Sequence, residues 1–176
     1  IIITIMVLEL KVPHGGGCDD IRPLFPVFIS YVISFTYIGI YWNNHHHMLH
    51  AIRSINGAVL WANMHLLFWL SLVPFATGWM GENHAATLPT AAYGIVLLGA
   101  AIAYTILAVT IMRHQGKDSK LKEAIGKDVK GKISIVLYLS AIFAAFVNSW
   151  IAIGIYILVA LMWLVPDRRI EKKLVK

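Results

Sequence analysis

Charge is what this sequence has least of. Only 14% of its 176 residues are Asp, Glu, Lys or Arg, whereas 59% are hydrophobic, and the mean hydropathy is +0.71. Soluble domains carry about a quarter charged residues. A chain this poor in them cannot cover its core with polar surface, so lipid is the expected solvent. Cysteine is equally scarce: Cys18 stands alone, which excludes an intrachain disulfide and a metal site built of several thiolates. The apolar stretches hold no acid except Glu9, near the end of the first, so a pump relaying protons between carboxylates is poorly supplied. There is no Thr-Val-Gly-Tyr-Gly filter and no helix with arginine at every third position, which argues against a carbonyl filter and a voltage sensor. Neither a Walker loop nor a Gly-x-Ser-x-Gly elbow occurs, so nucleotide and serine-hydrolase chemistry lack their motifs.

Six apolar stretches are present, at 1–10, 25–42, 58–79, 86–112, 133–147 and 150–165. A span needs about 20 residues, rising 1.5 Å each, to cross a hydrocarbon core near 30 Å. The last two stretches read as separate helices divided near Asn148 and Ser149, because one helix over both would run about 50 Å. Residues 1–10 cover only about 15 Å and have no basic start, so they read as the second half of a helix beginning before Ile1 rather than as a signal peptide. The expectation is an all-α membrane protein, one domain over 1–176, with six transmembrane helices per subunit and an incomplete first helix.

Six spans place Arg53, seven basic residues of the 113–132 loop and five in the 166–176 tail on one face. Only Lys11 and Arg22 fall opposite, which leaves a net charge of +8 on the first face and −2 on the second. The positive-inside rule then puts both termini in the cytoplasm. The basic charge is thereby a topology signal, and nucleic acid is not an expected partner.

Ile1, Thr4 and Leu8 recur on one face of the first helix. Copies of that face around an axis give apolar rings flanking a hydroxyl ring, a pattern able to gate or strip ions. A lipid-facing or packing stripe has the same spacing. A second group begins at Trp42 and runs through Asn43, Asn44, His45, His46 and His47 to His50, with Asn63 and His65 on the third span near the same depth. Polar groups at membrane depth need partners. One reading is a satisfied cluster in which Asn63 bonds Trp42 or a histidine. His46 and His50, at i and i+4, also suit a metal, so the alternative is a membrane oxidoreductase using iron, copper or haem held by His45, His46, His47, His50 and His65. His14, Cys18, Asp19 and Asp20 surround a glycine-rich loop that is better read as a linker. Pro74 is expected to kink the third span, and Gly94, Gly99 and Ala103 to allow close helix packing.

Several of these residues fall together in one known pattern: Ile-Ile-Ile-Thr-Ile-Met-Val-Leu at 1–8, Ser34-Phe35, Trp42, His45, Leu60-Trp61-Ala62-Asn63 and Pro74-Phe75. Val147-Asn148-Ser149-Trp150 and Pro166-Asp167-Arg168 extend it. In that order and spacing the chain resembles the prokaryotic members of the transmembrane protein 175 family of potassium channels, over nearly its whole length. The resemblance implies a homotetramer in the prokaryotic plasma membrane, passing potassium and other monovalent cations along a pore lined by the first helices. It assigns the constriction to Ile1, the hydroxyl layer to Thr4, the next apolar ring to Leu8, and polar bracing of the first helix to Trp42, His45 and Asn63. It implies no cofactor and no enzymatic activity. One departure from the family's pattern is that its Arg-x-x-x-Phe-Ser-Asp signature, expected just before Ile1, is absent from this sequence; the expectation is a first helix whose beginning the sequence does not include.

Overall fold

A computed structural model describes residues 2–8, 10–13, 15, 17–50, 52, 54–115 and 128–164, all helical or in connections, with no strand among them. The helices are α1 (Ile2–Leu8), α2 (Cys18–Ile21) leading through a 3-10 turn (Arg22–Leu24) into α3 (Phe25–His50), α4 (Gly57–Ser71), α5 (Val73–Glu82), α6 (Thr87–Gln115), α7 (Val129–Ala145) and α8 (Ser149–Leu164). Among the described residues three units are long and apolar enough to cross a membrane: Asp19–His50, Gly57–Glu82 and Thr87–Gln115. Ser149–Leu164 is a shorter apolar helix.

Helix ends depart from the apolar boundaries for physical reasons. α3 continues eight residues past Trp42, to His50, because hydropathy marks where lipid ends, whereas backbone hydrogen bonding carries the helix on. Pro74 interrupts the third span: α4 stops at Ser71 and α5 restarts at Val73 with Pro74 in its first turn, while Leu72 between them keeps right-handed helical dihedrals. Proline has no N–H to donate and its ring clashes with the carbonyl four residues back, so the ladder ends there. α7 starts at Val129, where the Asp128 carboxylate accepts from the Gly131 N–H at 3.1 Å. Asn148 separates α7 from α8 and accepts from the Trp150 N–H at 2.9 Å. The 116–127 part of the basic loop and the whole 166–176 tail lie outside the described residues.

α6 is the central helix, contacted by α4, α5, α7 and α8. Glycine makes that approach possible at two points. A Cβ on Gly94 would stand 2.2 Å from the Tyr156 hydroxyl, and one on Gly99 would stand 2.3 Å from the Trp69 ring. Ala103 is fully buried on the same helix. α3 packs on α5 and α8, and α1 lies against α3 and α5.

Four buried tyrosines, Tyr37, Tyr93, Tyr138 and Tyr156, fill the centre, with Tyr93 and Tyr156 ring centroids 5.6 Å apart. Polar atoms cannot be left to water at this depth, so they pair internally. Thr77 donates to Ser34 at 2.6 Å, Ser34 and Tyr93 share a 2.9 Å bond, and Tyr156 donates to the Thr90 carbonyl at 3.0 Å. The Tyr37 hydroxyl donates to the Tyr156 carbonyl. Large apolar side chains such as Trp61, Phe75, Phe143 and Trp150 point outward and exposed. Water would penalise such a surface; a bilayer favours it.

Candidate ion pathway and its polar support

α1 has two unlike faces. Met6 is 2% exposed and packs into the core, with Ile2 and Ile3 partly buried beside it. At 100° per residue these three centre on one side of the helix, and positions 4 and 8 centre on the opposite side. Thr4 is exposed there, and Leu8 is 80% exposed. The spacing therefore separates a face that the subunit covers from one that it leaves bare. Ile1 lies outside the described residues. Just beyond α1, Lys11 bonds Glu82 at the end of α5 at 2.9 Å.

The second group is anchored by a cross-helix bond. His45 on α3 and Asn63 on α4 meet at 2.6 Å between Nε2 and Oδ1. An amide oxygen only accepts, so the histidine donates from Nε2. Each residue stands within two turns of its helix's end, His45 near the close of α3 and Asn63 near the start of α4. The bond thus ties the two helices at one level. Trp42 does not join this pair: it is 64% exposed and stacks on His46, with centroids 5.3 Å apart.

His65 accepts from the Trp69 indole at 3.1 Å. His114, at the end of α6, meets Ser54 at 3.1 Å and accepts from the Asn56 amide at 3.0 Å. The same Asn56 caps α4 by accepting from the Val59 N–H at 3.0 Å. In the outer loop, Asp20 accepts from the Gly17 N–H at 3.0 Å, while His14 and the Cys18 side chain lie outside the described residues. A redox centre of histidine-held iron, copper or haem, unlike a loosely held exchangeable ion, needs ligands from separate segments to converge. His45 and His65 are instead committed to different partners.

A cavity of about 30 Å³, enough for water, opens between α3, α6 and α7, with Tyr41, Asn44 and Ser134 in its wall. No residue of α1 lines it, so it lies apart from the bare Thr4–Leu8 face. The tyrosine centre went unread in the sequence. Its one signal is a tyrosine near the middle of α3, α7 and α8 and another in the second turn of α6.

Comparison with known proteins bears on this arrangement directly. The chain is 57% identical over 174 residues to a potassium channel from Chryseobacterium sp. (strain P1-3), covering 99% of this chain and 91% of that one. Residues 1–74 match the family model described as endosomal/lysosomal potassium channel TMEM175. The chain belongs to the TMEM175 family. A second relative, a potassium channel from Chamaesiphon minutus, is 27% identical over 173 residues, 92% of this chain and 85% of its own. A crystal structure from Chamaesiphon minutus, of a homologue of the lysosomal potassium-selective channel TMEM175, superposes with a TM-score of 0.82 at 26% identity, covering 94% of this chain and 90% of the other. The TMEM175 match takes in α1, α3 and α4, and so contains Thr4, Leu8 and the His45–Asn63 bond.

Proposed function

We propose that the protein is a potassium-preferring cation channel in which the Ile1, Thr4 and Leu8 face of α1 lines the pore. The observation that carries the pore assignment is the two-sidedness of α1: Met6 is buried, whereas Thr4 and Leu8 on the opposite side are uncovered by their own subunit. The name of the 57%-identical relative supports the choice of ion.

One copy of so narrow a face encloses nothing, so the channel is a closed ring of identical subunits; a homotetramer is what the resemblance to the transmembrane protein 175 family implies. Its setting is a prokaryotic plasma membrane, with both termini in the cytoplasm as the basic loop and tail require. Four Ile1 and four Leu8 side chains form apolar constrictions in place of a carbonyl filter. Such a ring passes an ion only after the ion sheds water, which costs potassium less than sodium. The Thr4 hydroxyls offset part of that cost by standing in for lost water. His45 and Asn63 act at one remove, tying α3 to α4, while α3 is one of the helices against which α1 packs.

The test is cation flux into proteoliposomes. Thr4→Val should lower the preference for potassium over sodium, and Ile1→Asn should raise conductance and flatten selectivity. Permeability ratios unchanged in both variants would remove the pore from α1.

A further inference from the structure

The last two turns of α3 carry side chains that the proposed pore does not use. Trp42, His46 and His50, spaced four apart, form an exposed stripe. The ring centroids of His46 and His50 are 4.4 Å apart, and Trp42 lies almost flat on His46, with 17° between the planes. His45, the residue before His46, faces elsewhere and is bonded to Asn63.

The contrast with the other histidines is chemical. His45, His65 and His114 each use a ring nitrogen in a hydrogen bond. Among the described residues His46 and His50 make no hydrogen bond, and their rings pack on other rings. Two imidazoles at i and i+4 whose nitrogens are otherwise unengaged are the donor set a borderline divalent ion takes from one helical face. The Trp42 stack holds one imidazole in place, which reduces the ordering needed on binding.

We propose that His46 and His50 form a two-histidine site for a divalent transition metal of the zinc, nickel or copper kind. With only two protein ligands the remaining positions stay on water, so the ion is exchangeable and serves neither as a fold-forming metal nor as a redox centre. Hard cations such as magnesium prefer oxygen and bypass it. The ion clamps the final turn of α3, directly beyond the turn where His45 holds Asn63. The site does not depend on the channel reading, because binding itself is the readout.

The experiment titrates metal-free protein in liposomes with Cu²⁺, following tryptophan fluorescence, and with Zn²⁺ by equilibrium dialysis. Wild type should show saturable quenching that Mg²⁺ does not reproduce. His46→Ala and His50→Ala should each weaken binding by about 10- to 100-fold or more. His47→Ala and His84→Ala should leave it within about twofold of wild type. Trp42→Phe should remove most of the quenching while zinc is still bound in dialysis. Both ligand positions are exposed, so the variants are expected to fold, and an unchanged elution profile on gel filtration checks this. Binding unaffected by either His46→Ala or His50→Ala, or lost equally in His84→Ala, would overturn the proposal.

Discussion

Gly99 offers the sharpest test of the packing, because the Trp69 ring covers it. A methyl group there would stand 2.3 Å from Cδ2, 2.4 Å from Cε3 and 2.5 Å from Cε2 of the indole. Ordinary contact begins near 3.4 Å, so in Gly99→Ala the ring must withdraw by about 1 Å from an interior packed too densely to yield freely. The indole is also held from its own helix by the 3.1 Å bond to His65. Withdrawal therefore breaks that bond or lifts α4 off α6. Overpacking costs about 1–3 kcal/mol, and a side-chain bond in a membrane protein averages about 0.6 kcal/mol. Alanine's better helix propensity returns up to about 1 kcal/mol. The net expectation is a loss of about 1–2 kcal/mol, or roughly a 5- to 30-fold shift toward the unfolded state. Gly154→Ala is the control, since a Cβ there meets nothing within 4 Å and gains the propensity without the clash. The assay is equilibrium unfolding of purified protein in mixed micelles. Gly99→Ala proving as stable as Gly154→Ala would refute the reasoning.

Other variants test separate joints of the structure. Asn56→Ala removes the α4 cap and the tie to His114 and should cost about 1 kcal/mol in the same unfolding assay, with Asn56→Asp keeping most of the cap. A double-mutant cycle over His45→Ala and Asn63→Ala should give a coupling of about 0.6–1.7 kcal/mol; zero coupling would mean that the 2.6 Å bond does not tie the helices. Glu82→Gln should shift stability by less than about 0.5 kcal/mol, because Lys11 and Glu82 are 76% and 52% exposed and solvent screens the pair. A larger loss of thermal stability would show a role beyond that contact.

The sequence revealed most where the signal is local. The shared face of positions 4 and 8 on α1 was legible as a spacing, whereas which side the subunit covers was not, and comes from the burial of Met6, Ile2 and Ile3. The interruption at Leu72 followed from Pro74, and the break before Ser149 from the summed length of two apolar stretches. The end of α3 was not legible, since the Asn-Asn-His-His-His run leaves lipid without leaving the helix. Asn63 was expected to bond either Trp42 or a histidine, and the choice of His45 depends on how α3 and α4 face each other. The contacts of Tyr37, Tyr93, Tyr138 and Tyr156 join helices up to 119 positions apart. Periodicity within one helix carries no information about such a meeting.

The central claim is that Thr4 and Leu8 face the ion path, and cysteine accessibility along α1 tests it most directly. In a Cys18→Ser background, which removes the sole native thiol, each of positions 2–8 is replaced by cysteine and potassium flux is measured with a charged methanethiosulfonate reagent. The account predicts block at Thr4→Cys and Leu8→Cys, with Met6→Cys and Ile3→Cys unaffected. Block at Met6→Cys, with flux untouched at positions 4 and 8, would contradict it.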